Sequence, residues 1–200
     1  MALVAVATTG WATADAVFHG KEGLLVIEVE STSSDPGQWK RLTSIGGFSG
    51  NSHFEFAGNT PSSGPAQNPL RYSFAVDKDG VYRLLIRCHK RLEGEEADKC
   101  NDCYIRLEGD FDTGGKVPLE ILKSDTKLYG GSPDGWGWSA NLDKQHKKFP
   151  PLYTLKAGEQ YTLVISGRSQ RFNMDRIVFK HESVDEQKAM DPSTPESPRN

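Results

Sequence analysis

No helix-period pattern of useful length and no long apolar run occur in this chain. Its most hydrophobic stretch, Leu24 to Val29, is interrupted by Glu28, and a membrane helix needs about 20 apolar residues, so the sequence offers no spanning segment. Charge of one sign is lacking as well. The 24 Lys plus Arg stand against 27 Asp plus Glu, a formal net charge of -3, which leaves no global field to draw nucleic acid or an anionic membrane. Cysteine is scarce: Cys88, Cys100 and Cys103 are an odd number and allow at most one internal bridge. Cys100 and Cys103 form a CxxC, but zinc would need a second ligand pair, and only scattered histidines are at hand. A disulfide or buried thiols is the preferred reading. The sequence also has no GxSxG of a serine hydrolase and no GxxxxGK of a phosphate-binding loop.

Strict alternation is what the chain does have. Leu25, Ile27, Val29; Phe54, Phe56; Tyr72, Phe74, Val76; and Tyr82, Leu84, Ile86 keep a period of two, the period of strands. Further runs follow at Cys103, Ile105, Leu107; at Val117, Leu119, Ile121; at Tyr161, Leu163, Ile165; and at Ile177, Phe179. Turn pairs such as Asp79-Gly80, Gly114-Gly115, Asp134-Gly135 and Ala157-Gly158 fall where the alternation breaks. Many short strands with glycine-rich turns predict an all-β sandwich or jelly roll, in which two half-apolar sheets cover one another. With 200 residues and 36% hydrophobic content, one core is expected.

The domain is expected to span residues 20–182. Residues 1–19 read as an N-terminal extension or residual leader, with Ala12-Thr13-Ala14 resembling a weak cleavage site and Trp11 lying outside the fold. Asn59 to Asn68 reads as a polar loop, and Leu92 to Lys99 as a charged excursion from a hairpin. Residues 183–200, rich in Pro, Ser and charge, read as a disordered linker to another domain.

Three groups of residues could carry chemistry. Glu28 and Glu30 share one face of a strand whose other face is Leu25, Ile27 and Val29. Such a like-charged pair is a solvated face, a calcium site built from hard oxygen ligands, or the acid and base of a glycosidase. Trp136 and Trp138, flanked and separated by glycines, present two rings at i, i+2 spacing in a segment with no other apolar residue. A sugar offers an apolar C–H face to a ring and hydroxyls to polar partners, so these rings are candidate platforms, with one of them open to a core role. Trp39, after the turn Asp35-Pro36-Gly37, is a further candidate, with a core or loop-anchoring role as the alternative. On the polar side stand Arg168, whose fork suits a sulfate, carboxylate or paired hydroxyls, and Asn101 and Asp102, which open a strand and are otherwise ordinary turn residues. The basic cluster Lys144, His146, Lys147 and Lys148 reads as a solvated loop.

LVIEVE, GGFSGNSHFEFAGN, RYSFAVDKDGVYRLLIR, NDCYIRLEGD, DGWGW and ISGRSQRFNMDRIVF occur in this order. In that order the chain resembles the galactose-binding-like β-sandwich of carbohydrate-binding modules of families 6 and 35, especially modules attached to bacterial enzymes that degrade algal polysaccharides. The resemblance spans roughly Gly20 to His181. It implies a structural calcium ion held by Glu28, Glu30 and Asp175, and a glycan site in loops at one end of the sandwich. It places Arg168 where related modules often carry Asn, a departure that admits an acidic or sulfated glycan beside the algal galactans that the family suggests.

The implied function is non-catalytic, lectin-like binding of a polysaccharide by a secreted, monomeric module that targets a tethered catalytic domain. A glycoside hydrolase or polysaccharide lyase on a jelly roll is the main rival. It lacks an ExDxxE strand and a His and Tyr set with the spacing of a lyase base and acid. A protein-binding adhesion domain on the same fold is the third reading.

Overall fold

The structure is a computed structural model in which residues 16–60 and 64–200 are described. Trp11 and Ala12-Thr13-Ala14 lie outside the described residues. In chain order the strands are β1 (Val17–His19), β2 (Leu24–Glu28), β3 (Trp39–Leu42), β4 (His53–Phe56), β5 (Gln67–Ala75), β6 (Gly80–Lys90) and β7 (Asp102–Glu108). They continue as β8 (Asp112–Thr113), β9 (Thr126–Gly130), β10 (Gly137–Lys144), β11 (Lys147–Phe149), β12 (Leu152–Leu155), β13 (Gln160–Gly167) and β14 (Phe172–His181). A 3-10 turn at Val29–Ser31, which ends β2 at Glu28 before Glu30, and two five-residue helices, α1 (Leu119–Lys123) and α2 (Glu186–Met190), complete the set among the described residues. The all-β expectation holds.

Pairing runs continuously as β1-β5-β13-β7-β9-β10-β6-β14-β4-β3, with β2 on β14, β11 on β10, and β12 between β6 and β8. The sheet curls so that its β5-β13-β7-β9 half faces its β6-β14-β4 half, the two layers of a sandwich. Register carries the alternation into the core: Tyr161 lies opposite Phe74, and Leu163 opposite Tyr72, on β13 and β5. On the other layer Ile177 is opposite Ile86 and Phe179 opposite Leu84. The layers meet through rings, with Phe74 and Phe179 4.6 Å apart and Tyr153 5.8 Å from Phe179. Each ring there is fully buried and contributes on the order of 3 kcal/mol of hydrophobic stabilisation.

Four expectations are corrected. The run Val117, Leu119, Ile121 is not a strand, because Pro118 removes a ladder donor and stands at the N-cap of α1, which buries Ile121 and Leu122. Leu92 to Lys99 is not a hairpin excursion, since β6 pairs with β14, β10 and β12 while β7 pairs with β13 and β9. The fold begins before residue 20: β1 pairs in parallel with β5 and buries Phe18. The segment 183–200 is packed rather than a free linker.

That last segment covers an edge and a face. β2 pairs only with β14, so its outer backbone groups need partners. Ser197 supplies them, donating its N–H to Val26 O at 2.8 Å and accepting the Val26 N–H on its hydroxyl at 2.9 Å. Glu196 accepts the Glu28 N–H at 2.9 Å, and Pro198 O accepts the His19 N–H at 2.8 Å. Asp185 caps α2, and Val184 and Ala189 pack on Leu24, Val26, Leu85 and Val178 in a second apolar cluster. Low hydropathy in the segment hid this, because most of its binding is through backbone and hydroxyl groups. Truncation after Glu182 is therefore expected to cost about 3 kcal/mol and to lower Tm by about 6–12 °C in a thermal melt; an unchanged Tm would restore the linker reading.

Candidate functional site

The strands β7, β9 and β10 turn one phase into the core and the other outward. On β7 the inward residues are Cys103, Ile105 and Leu107, which leaves Asp102, Tyr104, Arg106 and Glu108 on the other face. On β9 Leu128 points inward between Lys127 and Tyr129. The hairpin joining β10 to β11 turns at Gln145 and His146, both at positive φ (52° and 62°), the conformation a two-residue hairpin requires. Asp143 Oδ1 accepts the His146 N–H at 3.0 Å and fixes that turn. Lys144 and His146, read from the sequence as part of a solvated loop, thereby become one wall of a groove, together with Tyr104, Asp125, Lys127 and Arg168.

This groove has a volume of about 330 Å³, and a neighbouring one of about 280 Å³ shares Lys127 and Arg168 with it. Beneath the shared pair lies Asp102, fully buried. Its Oδ2 accepts from Arg168 Nη1 at 2.5 Å and stands 3.6 Å from Lys127 Nζ, and its Oδ1 accepts from the Ser169 hydroxyl. With its amide nitrogen turned toward them, Asn101 donates to Asp102 Oδ2 at 3.2 Å and Asp98 O at 2.9 Å. A buried carboxylate needs this many partners, because desolvation removes the hydration of its charge. Arg168 also lies over the Tyr104 ring (5.8 Å), and Lys127 over Tyr129 (5.6 Å). Cationic donors, carboxylate acceptors and the Tyr104 ring therefore line one open groove, and Tyr129 stands beside its Lys127.

The structure joins Arg168, Asn101 and Asp102 but sends the tryptophans elsewhere. Trp39 is a core residue, 2% exposed, packed on Phe56 at 4.9 Å with its Nε1 donating to Asn68 O. Its sugar-binding role is corrected. Trp138 lies against the second apolar cluster under the C-terminal segment. Trp136 is half-buried: its Nε1 donates to Gly46 O at 3.0 Å, its ring is 5.3 Å from His53 and 5.8 Å from His89, and Arg87 stacks over it at 5.6 Å. It ties the Gly46 loop to the loop before β10 and lines neither lobe of the groove. Sequence reasoning missed Tyr104, Lys127 and Tyr129. The available signal was an aromatic on the polar phase of a strand, at Tyr104 between Cys103 and Ile105.

Glu28, Glu30 and Asp175 do gather, around the turn Ser49 to Ser52. Ser49 Oγ donates to Glu28 Oε2 at 2.8 Å and lies 3.1 Å from Asp175 Oδ2. Two of the acids are engaged by guanidinium groups: Arg176 pairs with Glu28, and Arg87 Nη1 reaches Asp175 Oδ2 at 2.6 Å. Among the described residues no group of three His, Cys, Asp or Glu side chains stands in the arrangement of a metal site. Glu30 differs. Its Oε1 accepts from the Asn51 and Ser52 N–H groups at 2.6 and 3.1 Å, but Oε2 is buried with no partner. Burial raises the pKa of Glu30, and it raises that of Asp175 as well. A Cβ on Gly50 would come within 2.5 Å of Glu30 Oε1, so glycine keeps the cradle open. The hard oxygen set and the orphaned atom fit a calcium ion in kind. The three cysteines are free and buried, so the thiol reading replaces the disulfide; burial pushes the Cys88 thiol up to about 12.

Comparison with solved structures follows from this geometry. The fold is shared with a known enzyme chain. That chain is the GH26-CBM35 β-(1,4)-mannanase of Podospora anserina, at a TM-score of 0.52 and 13% identity, covering 82% of this chain and 29% of that one. This chain thus spans under a third of the enzyme. A family 35 carbohydrate-binding module of Clostridium thermocellum superposes at a TM-score of 0.47 with 12% identity, over 78% of this chain and 96% of that one. CsCBM6-3 of Clostridium stercorarium, in complex with cellobiose, gives 0.45 with 16% identity over 83% and 98%. The fold comparison rests on the first of these. No family model and no curated protein matches the chain.

Asp102 organises the groove, so its loss should be felt first in stability. Asp102→Ala strands the Arg168 charge and is expected to cost about 3–5 kcal/mol in denaturant unfolding. A cost below about 1 kcal/mol would show that the cations do not depend on it.

Proposed function

We propose that this chain is a non-catalytic carbohydrate-binding module that holds a polysaccharide in the groove over β7, β9 and β10. The observation that carries the reading is the open groove lined by Tyr104, Arg168 and Lys127, the two cations both set on buried Asp102. Rings for C–H faces and paired ions for hydroxyls are what sugar recognition requires. The fold it shares with part of a mannanase whose name includes a family 35 module agrees with it.

A hydrolase reading has less support. The carboxylates in the groove are each engaged by a cation, Asp125 by Arg106 at 2.7 Å and Asp143 by Lys127 at 3.2 Å. A general acid is instead set in an apolar pocket that keeps it protonated. The reading extends to a secreted module that directs a tethered catalytic domain to its substrate, an algal galactan or another polysaccharide.

Binding in a shallow groove should be weak, about 4–8 kcal/mol, or millimolar to micromolar Kd. Arg168→Ala is expected to weaken polysaccharide retention in affinity gels at least about tenfold, while Trp136→Ala stays within about twofold. The opposite ranking would return the site to the tryptophans and remove the groove.

We propose in addition a structural calcium ion at Glu30, with Glu28 and Asp175 as further donors in exchange for their arginines. Calcium would supply the positive charge that the buried Glu30 oxygen lacks. An ion bound only by the native state stabilises it by mass action, so chelator should lower Tm and added calcium restore it. Identical melting curves in both conditions would remove the ion.

A further inference from the structure

We infer that the groove takes an internal segment of an uncharged, hydroxyl-rich polysaccharide that crosses from one lobe to the other over Lys127 and Arg168. This rests on the groove reading above and names its ligand class. The two lobes carry four acids, Glu95, Asp98, Asp125 and Asp143, and four bases, Lys99, Lys127, Lys144 and Arg168. Their fields cancel, so the groove has no net attraction for an anionic chain.

Three of the four cations are also engaged locally. Arg168 is 2.5 Å from Asp102; Lys127 is 3.2 Å from Asp143 and 3.6 Å from Asp102; Lys99 is 3.6 Å from Asp98. A sulfate or uronate approaching Arg168 would meet a guanidinium whose charge is already matched by a fully buried carboxylate, with Asp143 close by. A hydroxyl faces no such conflict, since it donates to a carboxylate and accepts from an ammonium or guanidinium of the same pair. Asp102 offsets the charge of Arg168 but is itself buried, so the donor and acceptor pair that a hydroxyl reaches is Lys127 with Asp143.

Shape supplies the rest. The lobes of about 330 and 280 Å³ both border Lys127 and Arg168. Tyr104 lines the first lobe, Ser169 and Gln170 the second. A ligand that fills both must run past the shared pair, so successive sugar units lie on either side of it.

The test is isothermal titration of the whole chain with a soluble β-glucan, mannan and galactan, and with a sulfated galactan and a polyuronate, each at about 50 and 500 mM NaCl. Salt of this range shortens the screening length from about 14 to 4 Å and would suppress charge-driven binding. The expected result is binding to at least one uncharged polymer with Kd changing less than about twofold between the two salts. Binding confined to the charged polymers, or weakened tenfold by salt, overturns the uncharged class while leaving the groove in place. A monosaccharide competing as well as a tetrasaccharide overturns the two-lobed crossing. Binding of an uncharged polymer that is unaffected by Arg168→Ala or Lys127→Ala overturns the groove itself, and absence of binding to every polymer overturns both readings.

Discussion

The contact of Phe74 with Phe179, 4.6 Å apart across the core, marks the constraint on which the structure depends: one continuous sheet must curl until its two halves bury the same set of rings. An alternating strand has only two faces, so once the inward phase is taken by this core, every remaining side chain is placed by default. The groove and the covered face are both consequences.

The two outer surfaces are handled differently. Over β7 and β9 the outward phase is charged and tyrosine-bearing, and stays open. Over β2, β14 and β6 the outward phase carries Leu24, Val26, Val178 and Leu85, an apolar surface that the C-terminal segment covers with Val184 and Ala189. Arg176 joins this covering to the acidic turn, pairing with Glu28 while its Nη1 donates to Thr194 O at 2.8 Å. Such a buried cation must satisfy all its donors to be tolerated, and it does so with groups from β2, the Ser49 loop and the tail.

Buried charge recurs on three of the strands. Asp102 at the start of β7, Asp175 within β14 and Glu55 in β4 are all buried, and each is held by an arginine: Arg168, Arg87 and Arg91. Breaking such pairs costs more than the pairs themselves contribute, so their effect is to fix which loop lies beside which strand. In the groove that same fixing presents Arg168 and Lys127 at defined positions. The structural role and the recognition role belong to one set of bonds.

Alternation in the sequence determined the fold class, the inward phase of most strands and the turns between them, because a period of two is local and survives without neighbours. Asn101 and Asp102 were legible only as polar residues opening a strand, with an ordinary turn as the alternative, and Arg168 was marked by the resemblance. Only the tertiary structure decided the rest. Trp39, Trp136 and Trp138 have the composition of a sugar platform, yet the sheet's curl puts one in the core, one between loops and one against the tail. Tyr104 and Tyr129 read as ordinary strand residues, and become a surface only when β7 and β9 pair. Residues 183–200 look unable to fold because their own apolar content is low, and the edge of β2 supplies the partners they lack. Strand faces are set by spacing along the chain, whereas a site is set by which strands become neighbours, and that depends on register and closure that no single stretch of sequence encodes.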